Sequence, residues 1–239
     1  MWNRKELKAR GKAAFRANYW PAVLAGFIAI AVVGGGYGVV GSRTSSAGAE
    51  QGVTSSTALE NIPPEVLLAI FAAVLGVALV TYAVVFLIFS LLFNPLKVGC
   101  SRFFLVNADG PAKLEELLYG YQSNYGNMVK TLMIRDIFLW LWSMLFIIPG
   151  AVKSLSYRMV PYILADNPNM SSLEAITLSR QMMNGHKWKT FVLDLSFLGW
   201  NFLTILTCGL VGVLYAGPYE LATGAELYKT LRATYTETV

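Results

Sequence analysis

Two charged residues, Arg158 and Glu220, lie inside apolar segments of the chain and are the first candidates for chemistry. An ionised side chain in a medium of low dielectric constant is costly, so such a residue is either paired with an opposite charge or part of a functional site. We expect an ion pair between Arg158 and either Glu220 or Asp194. A path for protons or ions is the alternative, since the same carboxylates could carry a proton.

Two further acids, Asp136 and Asp194, lie closer to the ends of their apolar segments. Each follows a lysine, Lys130 or Lys189, by five or six residues. This distance is about 8 Å of helix, so both carboxylates can stay close to hydrated headgroups. We count them with Arg158 and Glu220 as a candidate polar site.

Three prolines recur at the ends of apolar segments, in the motifs "FNPLKVG", "VPYILAD" and "GPYELAT". Proline removes a backbone donor, so Pro95, Pro161 and Pro218 predict helix kinks with a freed carbonyl that needs a partner, such as a tyrosine hydroxyl. Tyr162 and Tyr219 directly follow two of these prolines. They predict either a small polar cavity or ordinary packing of interfacial tyrosines.

The sequence offers no convergent catalytic set. His186 is the only histidine, and the two cysteines, Cys100 and Cys208, fall on opposite faces of the membrane in the topology derived below, so neither a zinc site nor a disulfide framework is expected. No serine nucleophile elbow or glycine-rich phosphate loop is found. We therefore expect a protein that is not an enzyme and has no cofactor. A lipid-modifying enzyme would have to use Asp136, Asp194 and His186.

These candidates must be held by helices in a membrane. Of the 239 residues, 55% are hydrophobic and only 14% are charged, and the mean hydropathy is +0.51, which is too apolar for an ordinary water-soluble domain. Apolar segments of about 20 residues recur, the length that a helix needs to cross a bilayer. The fold class predicted is an all-α membrane protein.

The distribution of lysine and arginine predicts the topology. Two late apolar runs are interrupted, at "IIPGAVK" and "LTCGLVG", and each is too long for one span, so each is interpreted as a hairpin. With the first apolar run and residues 66–93 they make six transmembrane helices in three hairpins, with both termini cytoplasmic. This arrangement places Cys100 inside and Cys208 near the outside. Only Arg43, Lys153 and Arg158 then fall away from the cytoplasmic face.

We interpret residues 1–239 as one integral membrane domain. It begins with a basic amphipathic helix over residues 1–19, includes an extracytoplasmic Ser/Thr-rich loop over residues 41–65, and has cytoplasmic amphipathic segments over residues 94–130 and 166–189. Each hairpin is thus preceded by an amphipathic segment, which indicates a threefold repeat. A cleaved signal peptide is the competing interpretation of the first apolar run, since Ala47 and Ala49 mimic a cleavage site.

The chain also resembles a known family. The succession from "IIPGAVKSLSYRMVPYILAD" to "GPYELATGAELY", with the opening "LKARGKAAFRANYW", resembles a bacterial integral membrane family catalogued as domain of unknown function 975. The Ser-Phe-x-Gly-Trp and Pro-Tyr blocks carry most of the likeness. The resemblance implies a multi-pass protein of the bacterial plasma membrane and transfers no catalytic residue.

Three functions are compatible with these features. The first is a non-enzymatic membrane protein that binds membrane lipids, above all anionic headgroups, or partner membrane proteins. The second is a small transporter or channel subunit, and the third is the lipid-modifying enzyme described above. The formal charge of +5 lies around the apolar segments and predicts topology, with no nucleic-acid partner.

Overall fold

The computed structural model describes residues 2–38 and 63–238, and this part of the chain is helical with no strand. The all-α class predicted from the sequence is therefore confirmed. Residues 39–62 lie outside the described part, as do most of the predicted extracytoplasmic loop and the possible cleavage site at Ala47 and Ala49. The helices follow one another as three units, each made of a short helix and a hairpin.

The first unit consists of α1 (Arg4–Ala17), α2 (Tyr19–Gly38) and α3 (Pro64–Asp109). The Asn3 side chain caps α1 by accepting a hydrogen bond from the Lys5 N–H at 3.0 Å. Helix α3 does not end at the predicted boundary near residue 93. It continues through Pro95 for 14 more residues. The first part of the predicted segment 94–130 is therefore the C-terminal part of α3, residues 94–109.

The second unit begins with a 3-10 helix (Leu114–Leu118) and α4 (Tyr119–Gln122), followed by α5 (Tyr125–Leu145), α6 (Ile147–Ser156) and α7 (Val160–Asp166). The chain reverses at Phe146, which has extended backbone angles, between α5 and α6. The predicted break at "IIPGAVK" is therefore present, and Pro149 falls in the first turn of α6, where its missing N–H costs no hydrogen bond.

The third unit consists of α8 (Ser172–Met182), α9 (Lys187–Leu195), α10 (Leu198–Leu206), a π-helical turn (Gly212–Ala216) and α11 (Gly217–Thr238). The chain reverses at Cys208 and Gly209, whose φ angles are 51° and 91°. This reversal corresponds to the break predicted at "LTCGLVG". Glycine adopts such angles without steric cost, which suits a tight reversal.

The buried core lies at one end of the bundle, around the C-terminal part of α3. Helices α1, α2, α7 and α11 pack against it, and α1 buries Leu7, Gly11 and Phe15 on one face. Two contacts are very close: a Cβ added at Gly99 would lie 1.9 Å from the Leu117 carbonyl oxygen, and one added at Gly120 would lie 2.0 Å from the Pro95 carbonyl oxygen. Only glycine allows the two backbones to approach this closely.

The opposite end of the bundle is apolar on its outside. Two helical runs among residues 2–38 and 63–238 are long and apolar enough to cross a membrane, Pro64–Asp109 and Lys187–Leu206. Their most apolar windows are 0% and 17% buried, unlike the core helix of a soluble protein. The six transmembrane helices predicted from the sequence are thus not confirmed.

Candidate functional site

Two of the candidate polar residues, Arg158 and Asp194, lie at or beside interruptions between helices. Helix α6 ends at Ser156, three turn residues follow, and Pro161 stands in the first turn of α7. Arg158 lies in that interruption because Pro161 has no N–H to bond the Tyr157 carbonyl four residues before it and its ring clashes with that carbonyl, so the helix does not continue through this point. Asp194 lies near the end of α9, just before the short break between α9 and α10.

Arg158 and Asp194 form an ion pair across these two breaks. The Arg158 Nη1 group donates to both carboxylate oxygens of Asp194, at 2.6 Å to Oδ1 and 2.5 Å to Oδ2. The side chains are 24% and 33% exposed, so the pair is partly shielded from solvent. Glu220 lies close enough for its charge to act on Arg158, but within the described chain it makes no ion pair of its own.

The remaining predicted site residues fall into separate places. Asp136 lies beside Arg135, at 2.6 Å, and 3.9 Å from the Lys97 ammonium. Tyr162 is buried in α7 and stacks on Tyr228 with 5.6 Å between ring centroids. The structure thus brings Arg158, Asp194, Glu220 and Tyr162 together and keeps Asp136 in a second cluster.

Tyr219 belongs to neither cluster. Its ring packs against Phe197 at 5.2 Å between centroids, and the Lys8 ammonium lies 5.7 Å from it. Lys8 also donates to the Ser196 carbonyl at 3.3 Å and to the Ser196 hydroxyl at 3.1 Å. Sequence analysis did not connect Lys8 with the third hairpin, since nothing in the spacing of α1 indicates a partner almost 190 residues away.

The prolines behave differently from the predicted kinks. Pro95 lies inside α3 and Pro218 directly follows the π-helical turn, so both stand in a continuous helical run, whereas Pro161 stands in the first turn of α7 after three turn residues, where no hydrogen bond is lost. The freed carbonyls are taken by tyrosine hydroxyls, but not by Tyr162 or Tyr219. Tyr125 donates to Leu91 O at 2.9 Å, four residues before Pro95, and Tyr19 donates to Leu214 O at 3.2 Å, four residues before Pro218.

Replacing Tyr125 by phenylalanine is expected to lower the free energy of unfolding by about 1–2 kcal/mol, because the Leu91 carbonyl would lose its partner at the Pro95 break. The measurement is thermal unfolding of the detergent-purified protein. Tyr82→Phe is the control, since Tyr82 lies on α3, the helix of Leu91 and Pro95, is 56% exposed and makes no hydrogen bond within the described chain. Equal effects of the two substitutions would contradict the role of the hydroxyl.

His186 is placed as an anchor beside the bundle. It is the residue before α9, and its ring lies 6.3 Å from that of Trp2. Burial and the charge of Lys189 lower the pKa of its imidazole, so the ring is neutral near pH 7. Among the described residues no group of three or more His, Cys, Asp or Glu could hold a metal ion.

Comparison with known proteins gives one match. Residues 146–235 match the family model described as "Protein of unknown function (DUF975)". The match confirms the resemblance from the tip of the second hairpin to the last turns of α11; it does not extend to the opening residues 7–20, and the description does not state that the family lies in membranes. No curated protein and no solved structure matches the chain. The description states no activity, so it assigns no role to Arg158 or its neighbours.

Proposed function

We propose that this chain is a non-enzymatic, multi-pass protein of the bacterial plasma membrane that binds lipids or partner membrane proteins through its helices. The observation that carries the proposal is the surface of α3. Eighteen large apolar side chains between Val66 and Leu92 are exposed, on all sides of the helix. No charged residue interrupts the helix between Glu65 and Lys97.

The free energy of exposing these apolar side chains to water favours a lipid environment. Covering one such side chain contributes roughly 1.5–3 kcal/mol, so leaving eighteen in water would cost tens of kcal/mol. That cost exceeds the total stability of an ordinary domain, about 5–15 kcal/mol. Lipid chains or other membrane helices would cover this surface without any further folding of the chain.

The third hairpin enters the membrane only part of the way. Its charged contact with α1, from Lys8 to Ser196, ties Ser196 to the basic helix that is predicted to lie at the cytoplasmic surface. Twelve residues separate Ser196 from the reversal at Cys208, about 18 Å of helix. The hydrocarbon core of a bilayer is about 30 Å thick.

The second hairpin is similarly short. Asp136, which is paired with Arg135, lies ten residues before the reversal at Phe146, about 15 Å of helix. By contrast, α3 runs 31 residues from Pro64 to Pro95, about 46 Å, and α2 has 20 residues, about 30 Å. The run Lys187–Leu206 is itself long enough to span, but counted from the surface-level groups Ser196 and Asp136 to their tips the two later hairpins reach about half as far as the first, so in the proposed arrangement only the first hairpin crosses the whole bilayer.

The tips of the two short hairpins suit hydrocarbon better than water. The tip around Phe146 reads "LFIIP", and the tip around Cys208 reads "LTCGLV", with no charge in either. At the second tip the backbone donors find partners within the turn: Cys208 N bonds Ile205 O, Gly209 N bonds Thr204 O, and Val211 N bonds the Thr207 hydroxyl. A chain can reverse inside a bilayer only where its backbone N–H and C=O groups find hydrogen-bond partners within the protein.

We therefore propose two full spans, α2 and α3, and two hairpins that enter from the cytoplasmic side and turn within the hydrocarbon, with both termini cytoplasmic. This arrangement also accounts for Lys153 and Arg158, which a six-span topology leaves away from the cytoplasmic face. Arg158 contacts Asp194 near the level of Ser196, and Lys153 lies beside Arg180 of α8. Both cations are then close to the cytoplasmic surface.

The binding function is tested by native mass spectrometry of the protein after purification from bacterial membranes in a mild detergent. We expect the full chain to carry phospholipid molecules or a partner chain, because the exposed surface of α3 remains covered. Recovery of the bare monomer alone, from a preparation in which a known lipid-binding membrane protein keeps its lipid, would contradict the proposal.

A further inference from the structure

A polar pocket lies where the end of α6, α8 and the start of α9 meet. Its volume is about 340 Å³, within the range of small-ligand sites. The residues that line it are Lys153, Ser156, Thr177, Arg180, Gln181, Asn184 and Lys187. Three are cations, four are neutral and polar, and among these described lining residues there is no carboxylate.

The three cations of this pocket lack the partners that other cations in the protein have. Arg10, Arg102 and Lys229 each form an ion pair with a carboxylate. Within residues 2–38 and 63–238, no ion pair is formed by any of the three pocket cations, and Arg180 and Lys187 lie close enough to repel the Lys153 ammonium. Three like charges in one pocket are unfavourable unless an anion lies among them.

Neutral donors complete the pocket. The Thr177 hydroxyl and the Asn184 amide make no hydrogen bond within the described chain, so both can bind a ligand. The start of α9 adds partial positive charge, because α9 begins at Lys187 and the preceding His186 gives no side-chain cap. Gly185, with a φ of 75°, forms the tight turn that brings Asn184 and Lys187 to the same opening.

Lys153 is positioned by two features of the second hairpin. Its ammonium lies 4.5 Å from the centre of the Trp142 ring, a cation–π contact that holds the side chain at the α5–α6 surface. It also lies seven residues after the tip at Phe146, about 10 Å along the helix. In the proposed membrane arrangement the Lys153 backbone is then about 5 Å from the level of Asp136, so its long side chain can reach the cytoplasmic headgroups.

We propose that this pocket binds a phosphate group with one or two negative charges, held by Lys153, Arg180 and Lys187 with donors from Thr177 and Asn184. Several cations and neutral donors around one cavity match a group with three or more acceptor oxygens better than a single carboxylate. The phosphate of an anionic lipid headgroup is the source that the position favours, and this choice of source rests on the proposed membrane function. Free inorganic phosphate has the same chemistry.

The test is calorimetric titration of the full-length protein in detergent at physiological salt, with three probes: short-chain phosphatidylglycerol, short-chain phosphatidylcholine and inorganic phosphate. The pocket variant carries Lys153→Gln, Arg180→Gln and Lys187→Gln. The control variant carries Lys5→Gln, Lys113→Gln and Lys130→Gln, which remove the same charge from exposed lysines outside the pocket.

We expect the wild type to bind phosphatidylglycerol more tightly than phosphatidylcholine. The pocket variant should lose about a hundredfold or more in affinity, at roughly a factor of ten for each charged hydrogen bond removed, and the control less than about threefold. The melting temperature of the pocket variant should be unchanged or higher, because like-charge repulsion is removed. A double variant with Lys153→Arg and Lys187→Arg should keep most of the affinity.

Each of the other possible outcomes either supports or contradicts the proposed phosphate site. Inorganic phosphate that binds as tightly as the lipid, and is lost in the pocket variant, supports the pocket and identifies free phosphate as the source. Equal losses in the pocket and control variants, or equal binding of both lipids, would overturn the pocket. In native mass spectrometry both proteins should keep lipid on the surface of α3, and the pocket variant should carry at least one anionic lipid fewer than the wild type; an equal number of anionic lipids on both would overturn the pocket while leaving the membrane function intact.

Discussion

A membrane-impermeant maleimide is expected to label Cys208 from neither side of an intact membrane, because the reversal at Cys208 and Gly209 lies within the hydrocarbon in the proposed arrangement. The measurement uses a Cys100→Ala variant, which leaves Cys208 as the single cysteine, in right-side-out and inverted vesicles. After denaturation in SDS the same thiol should react fully, since Cys208 is exposed on the surface of the protein. We therefore expect no labelling of Cys208 in intact vesicles and complete labelling after denaturation.

Two positions serve as controls for this labelling in a background that also lacks Cys208. Ser55→Cys lies in the predicted extracytoplasmic loop and should react from outside, and Glu115→Cys, which is exposed in the 3-10 helix, should react from inside. Labelling of Cys208 from outside at the rate of the Ser55 position would restore the six-span topology and remove the half-length hairpins.

Replacement of Arg158 by glutamine is expected to lower the free energy of unfolding by roughly 2–3 kcal/mol, below the 3–5 kcal/mol of a fully buried pair because both partners are partly exposed. The loss has a simple cause: Asp194 would keep its charge at the break between α9 and α10 without the guanidinium that it binds through both oxygens. Thermal unfolding in detergent is the measurement.

Three further variants make the result specific to the ion pair. Arg158→Gln combined with Asp194→Asn should recover much of the loss, because no charge is then left unpaired. Arg158→Lys should cost less than the glutamine variant. Arg102→Gln is the matched control, since Arg102 and Glu116 are about one-third exposed and 3.5 Å apart, so its effect should stay below about 1 kcal/mol. An unchanged melting temperature for Arg158→Gln would refute the pairing.

The sequence allows the helices and their breaks to be predicted, but not their depth. Apolar runs and their interruptions give the reversals at Phe146 and at Cys208, because both follow from local composition and backbone preference. The depth depends on contacts between distant segments, such as Lys8 with Ser196. Lysine counting alone treats Lys153 as an exception, whereas its neighbours Arg180 and Lys187 become visible only when α6, α8 and α9 are packed together.

Sequence-based prediction has the same limit for the polar site around Arg158. Two carboxylates are possible partners for Arg158 on sequence grounds, and only the packing of two helix breaks places Asp194 against it and leaves Glu220 without an ion pair. The need for a partner at the carbonyls that Pro95 and Pro218 leave free is predictable from the missing backbone donor. Which tyrosine supplies the hydroxyl is not, since Tyr125 and Tyr19 belong to other helices than the prolines they serve.

The apolar tips at Phe146 and Cys208 have a mechanical consequence. A hairpin that stops halfway adds cross-sectional area to one leaflet and none to the other, so lipids of the cytoplasmic leaflet must spread around it while those opposite cover its tip. Two such wedges in one molecule would favour membranes that are convex toward the cytoplasm, and would enter most easily where cytoplasmic headgroups are loosely packed. The distribution of this protein between flat and strongly curved regions of the cell envelope would then follow from the lengths of its helices.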